Sequence, residues 1–151
     1  MRIFITIISA LTIFISSGVF SKTIMLGMKG PGAGNPFWAS VEQGARDAAA
    51  ALGVDLVVLA PVQESDIQSQ INQVEDQITK GVDAIAIAPT DPNALAPIID
   101  EAIALGIPVV YIDTNGVNEG VTFIGTNNIN EIKKTVREVK KSKRRLAKGY
   151  V

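Results

Sequence analysis

The stretch "KGPGAGNPFW", Lys29 to Trp38, brings the amide of Asn35 beside the rings of Phe37 and Trp38, directly after an apolar run. Glycine-rich turns at such places often cradle phosphate, which requires G-x-G-x-x-G or a Gly-Lys-Ser/Thr entry to the helix. Counted from Gly30 the third required glycine falls on Asn35, and counted from Gly32 it falls on Phe37. Asn-Pro-Phe-Trp enters the helix in place of a P-loop lysine, and Pro36 removes a donor that an anion would use. The chemistry left is neutral: a ring stacks on the C–H face of a sugar while amides and carboxylates satisfy its hydroxyls. Adjacent helical residues point about 100° apart, so one ring faces the core and the other the cleft. Phe37 is expected to continue the core stripe and Trp38 to face the cleft.

These residues need elements to hold them. "TIMLGM" (23–28), "VDLVVLA" (54–60), "DAIAIA" (83–88), "PVVYID" (108–113) and "VTFIGT" (121–126) are short, mostly β-branched apolar runs, as expected of strands covered on both faces. Between them lie three helical patterns. The first is capped by Asn35 with Pro36 at its first position, carries Phe37, Val41, Ala45 and Ala48 on one face, and stops at Gly53. The second, 65–80, has an apolar stripe of Ile67, Ile71, Val74 and Ile78 and ends at Gly81. The third, 93–105, tolerates Pro97 near its start and closes at Gly106. Alternation of this kind implies right-handed crossovers and an α/β, doubly wound parallel sheet, whose ligands sit at the carboxyl ends of the strands. Asp91 in "PTDPN" is expected to cap the third helix, and Asn127 and Asn128 to cap a last one. Asp113, at a strand end, reads either as a turn residue or as a ligand group.

Composition excludes a good deal. The 151 residues contain no Cys and no His. Disulfides, thiolate metal sites and the commonest general base are therefore missing, and neither a metal nor a cofactor is expected. Asp113, Asp91, Glu64 and Lys29 are the groups available for acid/base work at the ligand edge, and sequence pairs none of them into a recognisable catalytic set. No enzyme activity is expected. Net charge is −1, yet from residue 22 to 128 the only cations are Lys22, Lys29, Arg46 and Lys80. A body of that kind has no footprint for nucleic acid.

In combination, "KGPGAGNPFWASVEQGARDAAAALGVDLVVLAP", "GVDAIAIAPTDPNALAPIIDEAIALGIPVVYIDT" and "FIGTNN" resemble the N-terminal lobe of ribose-type periplasmic sugar-binding proteins, the solute receptors of ABC importers. The resemblance runs from Thr23 to Asn128 and implies a single lobe of a two-lobe periplasmic-binding-protein fold. It implies a monosaccharide or similar small polyol bound non-covalently, with Asn35, Phe37, Trp38, Asp113 and Thr126 as ligand-binding residues and a membrane permease as partner. Two departures bear on specificity. Ala88 stands where ribose-binding members often have Asn, and Thr114 where they have Arg; loss of the guanidinium fork argues against ribose itself. Sugar-responsive transcription regulators share this fold in their effector-binding lobe, but that alternative needs a helix-turn-helix where this chain begins otherwise.

The two ends differ from the middle. Met1-Arg2, the apolar "IFITIISALTIFI" and "SSGVFS" read as a signal peptide over 1–21, cut near Ser21, which implies the periplasm. Residues 22–128 form the lobe. Residues 129–151, "NEIKKTVREVKKSKRRLAKGYV" with the preceding Ile129, are an atypical basic C-terminal helix with a thin apolar stripe of Ile132, Val136 and Val139. Its reading is a truncation or frame-change tail in place of a second lobe, and membrane contact is expected only through the signal or this tail. One lobe offers half a cleft, so the chain alone is expected to bind sugar weakly.

Overall fold

The computed structural model describes residues 21–125. The elements are β1 (Thr23–Gly27), α1 (Pro36–Leu52), β2 (Asp55–Leu59), α2 (Ile67–Thr79), β3 (Ala84–Ile87), α3 (Pro92–Ala104), β4 (Val109–Ile112) and β5 (Thr122–Ile124). All neighbouring strands pair parallel, in the order β2-β1-β3-β4-β5. The order reverses between β1 and β3, as a doubly wound sheet requires. Residues 1–20 of the expected signal peptide, together with Thr126, Asn127, Asn128 and the basic segment 129–151, lie outside the described residues.

Alternate side chains of the central strands feed two cores. Met25, Ile85, Ile87, Val109 and Tyr111 pack against Val74 of α2 and Leu95, Ile98, Ile99 and Ala102 of α3. Leu26, Met28 and Ala88 pack on the other face against Trp38, with Val41 and Ala45 of α1 beside it. Helix ends follow the residues expected to set them, except that α2 starts behind Asp66, whose Oδ1 accepts from Ser69 N, and not at Ser65. Asn35 Oδ1 accepts from the amides of Phe37 and Trp38, and Gly53 takes the left-handed conformation at φ 66°. Asp91 Oδ1 caps α3 by accepting from Asn93 and Ala94. Gly81 and Gly106 follow α2 and α3 with φ of 76° and 80°.

Two expectations are corrected. The buried stripe of α1 is Trp38, Val41, Ala45 and Ala49, while Phe37 and Ala48 are exposed. Either set fits helical spacing, and the larger indole took the inward position. Among the described residues, coverage of every strand on both faces also fails at β5, an edge strand whose three residues are all exposed. Among the described residues one helix covers the Trp38 side of the sheet and two cover the other.

The β4–β5 connection is tied down by a polar chain. Tyr111, buried to 1% exposure, donates its hydroxyl to Asn118 Oδ1. Asn118 Nδ2 donates to Ala96 O at 3.0 Å and Asp100 Oδ1 at 2.7 Å. Burial, and then the Asp100 carboxylate, push the Tyr111 phenol above its ordinary 10.0. A raised acid pKa means that the folded chain holds this proton more tightly than the unfolded one. The resulting stabilisation is complete below pH 10 and is lost as pH rises through the folded-state value. Denaturation midpoints measured upward from pH 9 should therefore fall more steeply in the wild type than in Tyr111→Phe; parallel curves would contradict the assignment.

Candidate functional site

At the carboxyl end of the sheet the chain leaves β1, β3 and β4 side by side, and their following residues converge. Lys29, just beyond β1, places Nζ 3.3 Å from Oδ2 of Asp113, just beyond β4, so the pair bridges over the end of β3. Both side chains keep some exposure, 21% and 35%. Asp113 is the only non-glycine among the described residues with positive φ, 56°. Aspartate tolerates this conformation better than most residues, and such outliers concentrate at functional sites. Its amide donates to Ile124 O at 3.2 Å, and Thr114 Oγ1 donates to its Oδ2 at 3.0 Å. The carboxylate is thus presented by a fixed turn rather than a loose loop.

The aromatic pair is divided, with the roles opposite to those expected. Trp38 is 3% exposed and Phe37 52%. Their rings meet edge to face, centroids 4.8 Å apart and planes at 72°, a favourable quadrupolar arrangement. Trp38 Nε1 donates to Glu64 Oε1 at 3.3 Å. The indole therefore backs the exposed phenyl ring. Trp38 also shares its core with Ile112, the residue before Asp113, which puts the aromatic and carboxylate groups at the same end of the sheet. Asn35 serves as the helix cap through Oδ1, at 3.1 and 3.4 Å from the two amides it accepts.

Gly32 serves close approach, whereas Gly30 has room for a Cβ. A Cβ on Gly32 would lie 3.1 Å from Glu42 Oε2 and 3.2 Å from Ala39 Cα; one on Gly30 would lie 3.6 Å from Glu64 Cγ. Two carboxylates thus face this loop, a setting unfavourable to phosphate. Among the described residues no group of three or more Asp or Glu is arranged to hold a metal ion.

Of the residues expected at a site, Asn35, Phe37, Trp38 and Asp113 come to one edge, and Thr126 lies outside the described residues. Sequence offers Lys29 only as a possible acid/base group; the structure sets it against Asp113. Gln70 was missed: it shares helical spacing with Val74 and Gln77, but only the structure shows that this face of α2 is buried.

Residues 26–130 match the family described as periplasmic binding protein domain. The chain belongs to that family. This periplasmic binding protein domain is 32% identical over 109 residues to the ribose import binding protein of Bacillus subtilis, covering 72% of this chain and 35% of the relative. It is 38% identical over 103 residues to the D-ribose/D-allose-binding protein of Pseudomonas aeruginosa, covering 62% and 32%. Among solved structures, the fold is similar to a periplasmic solute binding protein of Actinobacillus succinogenes with bound D-allose, at TM-score 0.67 and 29% identity, covering 73% of this chain and 40% of that one. An arabinose binding protein of Geobacillus stearothermophilus is similar at TM-score 0.70 and 28% identity, covering 82% and 42%. The chain spans about a third of the length of these curated relatives.

Proposed function

We propose that this domain forms one wall of the ligand cleft of a solute-binding protein for an ABC-type sugar importer in the periplasm, taking a monosaccharide or similar small polyol without covalent chemistry. The observation that carries the reading is the exposed Phe37 ring, backed by Trp38, at the same sheet end as the Lys29–Asp113 pair. A sugar needs an apolar platform for its C–H face and directional groups for its hydroxyls. Asp113 accepts from hydroxyls and Lys29 donates to them. Asn35 has Oδ1 committed to α1, so its Nδ2 is the group offered to a ligand. Thr126 is proposed to add a hydroxyl to the ligand. The named ligands of the relatives, ribose, allose and arabinose, fall in the same chemical class. A membrane permease is the proposed partner.

The test is a titration of the fluorescence of Trp38, the sole tryptophan, against a panel of monosaccharides. A saturable change with at least one sugar is expected, since a sugar on Phe37 alters the ring that leans on the indole. A flat response to every sugar at high concentration would sink the reading. Loss of one stacking platform is worth about 1 kcal/mol, so Phe37→Ala should weaken the responding sugar about fivefold while far-UV circular dichroism stays unchanged.

A further inference from the structure

Gln70 is completely buried on α2, and each of its hydrogen-bonding positions is used. Nε2 donates to Met28 O at 3.1 Å and to Ala88 O at 2.9 Å. Oε1 accepts from Thr90 N at 2.8 Å and Thr90 Oγ1 at 2.9 Å. Met28 and Ala88 are the residues immediately beyond β1 and β3, the two strands that flank the reversal of strand order. Their own amides close the ladder, Met28 N to Leu59 O and Ala88 N to Gly27 O, each at 2.8 Å. Past that point the two strand ends have the amide of Gln70 as a shared fastening.

We propose that Gln70 is a positioning residue of the ligand edge, holding the β1 and β3 ends so that Lys29 meets Asp113 and the Thr90–Asp91 turn keeps its place. This rests on the function proposed above. Peptide planarity supplies the mechanism. Met28 O belongs to the peptide from which Lys29 leaves, so fixing that oxygen fixes the direction of Lys29. Ala88 O and Thr90 N belong to the two peptides flanking Pro89, so fixing both sets the turn leading to Asp91, the cap of α3. An amide is the one side chain that offers two N–H donors and a two-lone-pair acceptor at this length. A carboxylate keeps the acceptor and loses the paired donors. An apolar residue leaves two carbonyls and one amide buried without partners.

The 151-residue chain with Gln70→Met and Gln70→Glu provides the test, read by residue-resolved amide exchange and by Trp38 fluorescence with the sugar panel. In Gln70→Met, the amide of Thr90 loses its acceptor and should exchange about tenfold faster; those of Met28 and Ala88 keep Leu59 O and Gly27 O and should speed up by a similar factor because the unfastened strand ends fray, with those of α1 within about twofold of wild type. In Gln70→Glu, Met28 and Ala88 should speed up while Thr90 stays protected, because its acceptor remains; this split is what general loosening would not produce. Affinity for a sugar that wild type binds should fall about tenfold in both variants. Uniform acceleration across the sheet, unchanged exchange at the three amides, or wild-type sugar affinity in either variant would overturn the inference. If wild type answers to no sugar, the functional reading falls, and the exchange pattern alone still decides whether Gln70 holds the two strand ends. Should Gln70→Met fail to fold, the Thr90 split in Gln70→Glu decides.

Discussion

Trp38→Ala is expected to lower folding stability by roughly 3–5 kcal/mol, the range found when a large buried aromatic is truncated to alanine. The indole is 3% exposed and fills the space between α1 and the ends of β1 and β3, against Leu26, Met28 and Ala88, with Val41, Ala45 and Ile112 closing around it. Removing it opens a cavity on the side of the sheet that, among the described residues, a single helix covers. That helix is also the one that carries Phe37, so loss of the indole should release the ring that it backs. Trp38→Phe separates the contributions. It keeps most of the packing and gives up the bond from Nε1 to the exposed Glu64, which is worth about 1 kcal/mol at most. Urea unfolding followed by far-UV circular dichroism measures both variants. An alanine variant within about 1 kcal/mol of wild type would be incompatible with a core tryptophan.

Gly116→Ala should cost about 3 kcal/mol, at the upper end of ordinary overpacking. A Cβ at this position would overlap Cζ, Cε2 and the hydroxyl oxygen of Tyr111. The ring cannot swing aside freely, because it is buried between β4 and α3 and its hydroxyl is bonded to Asn118. The connection would have to lift instead, pulling Asn118 from Ala96 and Asp100 and disturbing the turn that presents Asp113. A steric cause has a distinct signature in a double-mutant cycle. Tyr111→Leu shortens the side chain and removes the overlap, so the double variant should be clearly more stable than the two single losses added together. Simple additivity, measured by the same unfolding experiment, would show that the ring and the glycine are not in conflict.

The order of elements was legible because each signal for it is local. Asn35-Pro36, Asp91 and the glycines after each helix act within a turn of chain, and their effects survive whatever packs around them. Apolar β-branched runs, separated by helical patterns, leave few layer arrangements besides a parallel sheet covered on both sides. The sequence likewise placed Asn35, Phe37, Trp38 and Asp113 at one sheet edge, since residues after parallel strands collect there.

Periodicity alone could not choose between Phe37 and Trp38. Both begin acceptable stripes, and the choice depended on a cavity between Met28 and Ala88 together with a carboxylate on Glu64, groups remote in the chain. The pairing of Lys29 with Asp113 joins the ends of β1 and β4, and no spacing rule relates residues so far apart. Gln70 was hidden for a related reason: an amide among apolar residues looks solvated until two strand ends supply carbonyls for it. By itself, then, the sequence determined the succession of elements, the caps of α1 and α3 and the edge where a ligand would sit. Tertiary structure decided which ring faces outward, what holds each charge and which buried amide joins the strands, because those outcomes are set by contacts between segments whose separation the chain's local chemistry does not encode.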